Sequence, residues 1–312
     1  MINLTKKERV ISAVKGEPVD RIPFSFWYHF RWLDFPSGEP LAKEELNFYK
    51  TFDPDFLKVM HDIPFELPQD ISRIEKSEDW YKLDILDENS QNFKAQLLAL
   101  EIITKNLPDD GFVIDTIFST FAYAEKLTGK RTLEHLKENP KALHYGLEMI
   151  SRSLANFINA AKKTGLSGIY MALQGANRDI MDDAEYRQHF MPYDIIIWES
   201  ARDCNFNILH LHGNELMFDI VNIFNPEVVT WSNRLTPPSL EEARNLYSGC
   251  IAAGLNEEAI INYSPKDVRR EVLKTIVEAG AKKLIVTPGC AVPGETSKEN
   301  LFAIRDTLEE IR

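Results

Sequence analysis

Short apolar segments alternate with amphipathic helical patterns along most of this chain, and this alternation constrains the fold more than any other feature. The segments predicted as strands are 22–29, 56–63, 112–118, 168–173, 207–212, 228–232, 250–255 and 283–287. Strands separated by helices favour a parallel sheet, and eight of them suit a closed (β/α)8 barrel, the TIM-barrel fold. An open, doubly wound sheet fits less well, because no glycine-rich phosphate-binding turn follows the first segment.

Capping signals mark the helices between these strands. Thr5 and Glu8 form a predicted capping box for a short N-terminal helix, which extends the barrel. Further helices are predicted over 90–106, from Pro140 to about 163, from Ser264 to Gly280, and after Ser297. The stretch 36–52 is predicted to be irregular, either a lid or a pair of short helices. No segment has the composition of an interdomain linker, so residues 1–312 are predicted to form one domain.

Composition narrows the classes of protein to which the chain can belong. With 312 residues and a formal net charge of −12, it is not expected to bind nucleic acid. Its three cysteines, at positions 204, 250 and 290, are too sparse for a disulfide framework. The N-terminus has no apolar run after its charged residues, and no apolar stretch approaches the roughly 20 residues of a spanning helix. We therefore expect a cytoplasmic protein that contacts no membrane.

The most informative motif is His210-Leu211-His212 at the end of a predicted strand. Alternate residues of a strand face the same side, so His210 and His212 are predicted to point together. Cys290, just after the last predicted strand, can reach the same end of a barrel. Two imidazoles and a thiolate suit Zn2+ and leave one position open, as a catalytic zinc site requires. The alternative is a hydrogen-bonded pocket lining without metal.

Asp62 and Tyr123 are the candidate catalytic residues. Asp62 ends the second predicted strand, where a carboxylate can act as a general acid or base or stabilise charge. An equally acceptable interpretation is a helix cap or a salt-bridged wall residue. Tyr123 can hydrogen-bond a substrate, but an aromatic residue in an apolar stretch more often belongs to the core.

Other polar residues follow the predicted strands and are candidates for binding a small-molecule substrate. They are His29, His61, Gln174, Asn177, Asn214 and Asn256. For Gln174 and Asn177, capping of a loop is an equally good account.

Several motifs in order along the chain are similar to those of the uroporphyrinogen decarboxylase superfamily. They are ERVISAVKGEPVDRIPF, PDFLKVMHD, FAYAEKLTG, EYRQHFMPYD, HLHGN and VTPGCAVPGETSKENL, which extend from residue 8 to about residue 301. The resemblance implies a (β/α)8 barrel and covers essentially the whole chain. It also implies one of two chemistries.

The first chemistry is decarboxylation of uroporphyrinogen, which needs no cofactor. The resemblance places Asp62 at the pyrrole-binding aspartate of true decarboxylases and Tyr123 at a matching tyrosine. However, the arginine-rich segment that holds the substrate carboxylates in those enzymes is absent, and the region 27–33 keeps only Arg31. Their C-terminal Gly-His-Gly is replaced by residues 289–291, Gly-Cys-Ala. A substrate with many carboxylates needs a cationic pocket, which this sequence does not indicate.

The second chemistry is methyl transfer, and the sequence resembles this zinc-dependent branch more closely. The resemblance implies zinc ligands at His210 and Cys290, with His212 where the branch usually has a cysteine. It implies a methyl donor that is either a small molecule or a corrinoid on a partner protein, and a thiol-type acceptor. A His2Cys site carries less negative charge than a HisCys2 site and is expected to make a bound thiolate less nucleophilic. The alternatives are porphyrinogen decarboxylation and a non-catalytic barrel that binds a corrinoid or tetrapyrrole. The sequence does not indicate the oligomeric state.

Overall fold

A curled parallel sheet forms the centre of the protein in a computed structural model that describes residues 3–30, 36–108 and 111–311. Within these residues seven strands pair in chain order, each with the next. They are β1 (Phe56–Val59), β2 (Phe112–Phe118), β3 (Gly168–Gln174), β4 (Ile208–His212), β5 (Val228–Trp231), β6 (Cys250–Leu255) and β7 (Leu284–Pro288). All six pairings are parallel, as the alternation of strands and helices predicts.

The segment predicted as the first strand differs from the other seven. Residues 22–29 form no regular strand, so this part of the prediction is wrong in detail, but two parallel bridges join Phe24 to Val286 and Tyr28 to Val292. The Phe24 carbonyl also accepts a 2.9 Å hydrogen bond from the Asp55 N–H, next to β1. The Phe24 N–H donates to the carboxylate of Asp55 and not to a backbone carbonyl, so the backbone ladder with β1 is interrupted there. This segment therefore contacts both edges of the sheet.

Helices surround the sheet. They are α1 (Lys6–Lys15), α2 (Gly38–Phe52), α3 (Gln91–Asn106), α4 (Thr120–Thr128), α5 (Thr132–Glu138), α6 (Pro140–Lys162), α7 (Asp183–His189), α8 (Met191–Ser200), α9 (Val221–Phe224), α10 (Leu240–Leu246), α11 (Pro265–Ala279) and α12 (Lys298–Glu310). The capping box of Thr5 and Glu8 is confirmed, as are helix starts at Ser264 and Ser297. No helix of the described ranges is long and apolar enough to span a membrane.

Helix α2 corrects the prediction for residues 36–52. The segment is one continuous helix of 15 residues rather than an irregular lid or two short helices. A buried stripe that includes Leu41, Glu45, Phe48 and Phe52 runs along the helix, which packs mainly against α3 and also contacts β1 and α12. Tertiary packing of such a stripe stabilises a helix. Because Glu45 interrupts the stripe, the apolar periodicity is harder to recognise in the sequence. Arg31, named in the sequence comparison, lies outside the described residues.

The strands separate two hydrophobic clusters. Leu209 and Leu211 of β4 pack with the surrounding helices, whereas Ile208 belongs to an inner cluster with Trp27 and Tyr170. Because side chains alternate along a strand, His210 and His212 share the inner side with Ile208. The fold thus directs both histidines toward the inside of the sheet.

Candidate metal centre

Three potential metal ligands meet at the carboxyl ends of β4 and β7. One ligand atom from each of His210, His212 and Cys290 can be chosen so that all three lie within 4.8 Å of one another. Backbone pairing aligns His210 with Ala172 and His212 with Gln174 on β3. Cys290 follows Gly289, where a side chain would place its Cβ only 2.6 Å from the Cα of Ser232. Glycine therefore permits the close approach that brings Cys290 to the histidines.

The imidazole of His210 is buried, and neither ring nitrogen has a hydrogen-bond partner among the described residues. It stacks on Tyr170, with ring centroids 5.4 Å apart and planes inclined by 25°. Burial and the proximity of His212 hold the pKa of His210 well below its ordinary value. A neutral imidazole has one unprotonated nitrogen whose lone pair can bind a metal, and leaving both ring nitrogens buried without a partner is costly. His210 therefore fits a metal ligand.

His212 and Cys290 differ from His210 in exposure. His212 is the last residue of β4 and is exposed to solvent. The part of its ring that is buried lowers its pKa. Cys290 is half-buried, and burial raises the pKa of its thiol. A bound cation would offset this effect, because metal binding displaces the thiol proton. Together the three side chains supply two nitrogen donors and one sulfur donor, which fit Zn2+.

A cavity of about 270 Å³ adjoins the three ligands. Its lining residues are Trp27, His29, Lys58, Met60, Asp62, Thr116, Phe118, Lys126, Tyr170, Ala172, Gln174, His210, His212, Cys290 and Ala291. Sites of this fold lie at the carboxyl ends of the strands, where this cavity lies. The cavity combines apolar walls with a few charged groups, which is typical of small-molecule sites.

Asp62 and His29 form a hydrogen-bonded pair on the wall of this cavity. The Nδ1 atom of His29 lies 2.8 Å from a carboxylate oxygen of Asp62. Burial opposes ionisation of Asp62, but the hydrogen bond and charge of His29 outweigh it, so the pKa of Asp62 lies below its ordinary value. Asp62 is therefore a carboxylate at neutral pH.

Two candidate residues of the sequence analysis lie in the core instead. His61 is buried, contacts Phe157, and lies with its Nδ1 atom 3.1 Å from an oxygen of Asp115. Tyr123 is also buried, and its hydroxyl has no partner among the described residues. It lines a different cavity of about 560 Å³, which Lys126 also borders. Burial raises the pKa of Tyr123 well above its ordinary value, so the phenol stays protonated.

Three asparagines organise loops and do not line the cavity of the metal centre. The side-chain oxygen of Asn177 accepts a hydrogen bond from the Glu215 N–H at 3.0 Å. The side-chain amide of Asn214 donates a hydrogen bond to a carboxylate oxygen of Asp179. Asn256 accepts from two backbone N–H groups that follow it. Of the predicted substrate-binding residues, only His29 and Gln174 line the cavity.

Comparison with known proteins identifies the family of this chain. The model of the uroporphyrinogen decarboxylase (URO-D) family matches residues 61–311. The chain belongs to the URO-D family.

Among characterised proteins, this family member resembles a methyltransferase. It is 20% identical to the methylcobamide:CoM methyltransferase MtbA of Methanosarcina acetivorans, over 96% of each chain. Among solved structures, a methyltransferase from Methanosarcina mazei superposes with a TM-score of 0.75 at 17% identity, covering 99% of each chain. A putative B12-independent methionine synthase from Listeria monocytogenes gives a TM-score of 0.57 at 9% identity over 87% of this chain and 86% of its own. The structural matches support a shared fold.

Within this URO-D family chain, sequence reasoning missed Lys58, Tyr170 and Trp27. All three are buried and line the cavity. Lys58 was detectable, because it is a charged residue in the otherwise apolar run Phe56-Leu57-Lys58-Val59-Met60. The two aromatic residues carry no such signal, since buried aromatic side chains are usual in a core.

Proposed function

We propose that this protein is a zinc-dependent methyltransferase that moves a methyl group from a corrinoid or small methyl donor to a thiol-type acceptor. The observation that supports this most is the convergence of His210, His212 and Cys290 beside a cavity. The similarity to a methylcobamide:CoM methyltransferase supports the reaction type. The proposal also takes residues 22–29 as the eighth strand position of a closed barrel and residues 1–312 as one cytoplasmic domain.

The three side chains are proposed to hold the metal and to leave one coordination position for the acceptor. Zinc held by these three residues would supply a Lewis acid that lowers the pKa of a thiol at the open position, so that the thiol would react as a thiolate at neutral pH. His210 stacks on Tyr170, and this contact restricts the orientation of the imidazole before any substrate arrives. The buried rings of Trp27 and Tyr170 line the cavity and are proposed to limit the entry of water.

Asp62 and His29 are proposed to orient the acceptor opposite the metal. The contact between Asp62 and the Nδ1 atom of His29 holds the imidazole in one orientation and leaves Nε2 for a ligand. Gln174, which follows β3, adds an amide on the same wall. Positioning of this kind lowers the barrier because the reacting groups lose less freedom in the transition state.

Decarboxylation of a porphyrinogen is less well supported. No arginine is among the described residues that line the cavity. Its volume of about 270 Å³ lies just below the roughly 300–1,000 Å³ common for drug-sized ligands. A tetrapyrrole with many carboxylates needs both more room and more cations. A non-catalytic corrinoid-binding barrel is the remaining alternative, and turnover separates it from an enzyme.

The test is methyl transfer by the zinc-loaded protein. Methylcobalamin and a small thiol are incubated under strictly anaerobic conditions. The carbon–cobalt bond breaks, the electron pair stays on cobalt, and the carbon–sulfur bond forms, so cob(I)alamin appears in the absorption spectrum. Catalysed formation of the thioether supports the proposal. Binding of methylcobalamin without any thioether, with a panel of thiols, would favour the non-catalytic barrel.

A further inference from the structure

The chain leaves the sheet at Met60, two residues before Asp62. The ladder between β1 and β2 ends at the pair Val59 and Asp115, although β2 continues and pairs further with β3. Residues 60–62 lie outside the strands of the described chain, yet they bring the carboxylate of Asp62 to the wall of the cavity. Buried N–H and C=O groups are costly to leave unpaired, so a segment without ladder bonds needs other partners.

Side chains of two helices replace the ladder at Met60. The Met60 N–H donates a 3.0 Å hydrogen bond to a carboxyl oxygen of Glu45 on α2. The Met60 carbonyl accepts a 3.1 Å hydrogen bond from the side-chain amide of Gln96 on α3. Glu45 and Gln96 are both buried. Both polar groups of the Met60 backbone are therefore bound from outside the sheet by partners that solvent does not reach.

Asp115 extends this group of hydrogen bonds to the next residue, His61. One carboxylate oxygen of Asp115 accepts a 2.9 Å hydrogen bond from the same Gln96 amide, and the other lies 3.1 Å from the Nδ1 atom of His61. His61 is buried and contacts α6, on the outer side of the sheet. Its two neighbours, Met60 and Asp62, line the cavity on the inner side. The outward anchor at His61 thus accompanies the inward direction of Asp62.

Stability alone does not explain so many buried polar groups at this place. Apolar side chains at positions 45, 96 and 115 would fill the same space without the cost of burying polar atoms. The side-chain oxygen of Gln96 is even buried without a partner among the described residues, which is unfavourable. The amide is therefore oriented for the sake of its two donated hydrogen bonds, to Met60 and Asp115.

We propose that Glu45, Gln96 and Asp115 are positioning residues for Asp62, which fix the chain beyond β1 so that the carboxylate reaches His29. None of these three residues is among the described residues that line the cavity, so they act through the backbone and not on a ligand. The effect on turnover rests on the proposed function, in which Asp62 and His29 orient the acceptor. A displacement of about 1 Å in such a group can lower a rate on the order of 100-fold.

Glu45→Met and Gln96→Met each remove one partner of Met60 and keep a side chain of similar length. In each variant kcat should fall about tenfold or more, with a smaller change in KM and an unchanged zinc content, because the acceptor still binds but is poorly oriented. The pKa of Asp62, which lies below its ordinary value beside His29, should rise. Carbon-13 NMR of labelled aspartate follows this pKa without any assay of turnover.

Glu45→Gln is the conservative variant. Burial raises the pKa of Glu45 to about 8, so the carboxyl group is neutral at pH 7, and an amide oxygen can accept the same N–H. This variant should keep both kcat and the pKa of Asp62. Ile103→Ala is the matched control for lost stability, because Ile103 is buried on α3 about two turns beyond Gln96. It should unfold more easily but keep kcat and the pKa of Asp62.

An unchanged pKa of Asp62 in folded Glu45→Met and Gln96→Met would overturn the assignment, and so would equal losses of kcat in Ile103→Ala. Hydrogen exchange in the wild type needs no variant. The Met60 N–H should exchange as slowly as the amides of β1, and exchange as fast as in an open loop contradicts the contact with Glu45. If the wild type transfers no methyl group to any thiol, the proposed function fails, and the pKa of Asp62 and the exchange of Met60 then decide the positioning role alone.

Discussion

The Nδ1 atom of His29 lies 2.8 Å from a carboxylate oxygen of Asp62, and the pair faces the same cavity as the metal ligands. His29 belongs to the irregular segment that precedes α2, whereas Asp62 follows β1. The contact therefore joins two loops at the carboxyl ends of the strands. Whether it serves the reaction or only the loops is open to a direct test.

Replacement of Asp62 by asparagine separates these roles, because it keeps the volume and removes the charge. If Asp62 orients a reacting group, Asp62→Asn should lower turnover by about 100-fold or more. The melting temperature should change little, since the pair is partly exposed and such pairs contribute little stability. Turnover and thermal unfolding are measured on the same preparations. Unchanged turnover would remove Asp62 from the site.

Removal of single metal ligands should release zinc. The purified protein is expected to hold about one Zn2+ per chain, from one site with this ligand set. His210→Ala and Cys290→Ala should each lose most of it, as measured by plasma mass spectrometry after gel filtration. Cys204→Ala is the matched control, because this half-buried cysteine precedes β4 and is not part of the ligand cluster. Full zinc occupancy in both ligand variants would contradict the metal centre.

His212→Cys should restore the ligand set that the family resemblance implies. The extra thiolate adds negative charge to the site, so a bound acceptor thiolate should become more nucleophilic. We expect zinc to be retained and the rate of thioether formation to rise several-fold. If the rate of thioether formation falls although zinc is retained, the reaction of this protein requires histidine at position 212.

Glu45 should make stability depend on pH. Burial raises its folded pKa to about 8, so between about pH 4.5 and 8 the unfolded chain binds fewer protons than the folded one. The free energy of unfolding should therefore fall as pH rises through this range, by several kcal/mol relative to Glu45→Gln. Urea denaturation at pH 5 and pH 8 measures this difference. The exposed Glu39→Gln on the same helix is the control and should follow the wild type.

Uroporphyrinogen should not be turned over at a significant rate. The cavity is small, and its described lining offers two lysines but no arginine for a substrate with many carboxylates. Chromatography of oxidised porphyrins after anaerobic incubation detects coproporphyrin sensitively. Robust formation of coproporphyrinogen would reverse the order of the two candidate reactions and make Asp62 the central catalytic residue.

The strand and helix pattern was predictable from the sequence because it depends on local periodicity and capping. Thr5, Ser264 and Ser297 each start a helix where their side chains indicate one. Helix α2 was not recognised, because Glu45 on its buried face disguises the apolar stripe. The aromatic residues of segment 22–29 have high strand propensity and so predict a regular strand, whereas the observed bonding of this segment depends on distant partners.

The candidate site was predictable only in part. His210, His212 and Cys290 could be grouped because strand alternation and barrel topology determine where their side chains point. The asparagines at 177, 214 and 256 follow strands too, but each is used by its own loop, which the sequence does not reveal. Lys58 was missed because a lysine within a strand is usually an exposed residue.

Two backbone bridges, Phe24 with Val286 and Tyr28 with Val292, connect the N-terminal segment to the C-terminal part of the chain. They also affect the stage of folding at which the metal centre can form. The Tyr28 hydroxyl reaches the carbonyl of Gly294, a hydrogen bond between positions 266 residues apart. Contacts of such large sequence separation form late in folding, because a long loop must close first. A chain still emerging from the ribosome can build most of the strands but has neither Cys290 nor the partner for its own N-terminal segment. Zinc capture is therefore expected to accompany the last stage of folding and not to nucleate it.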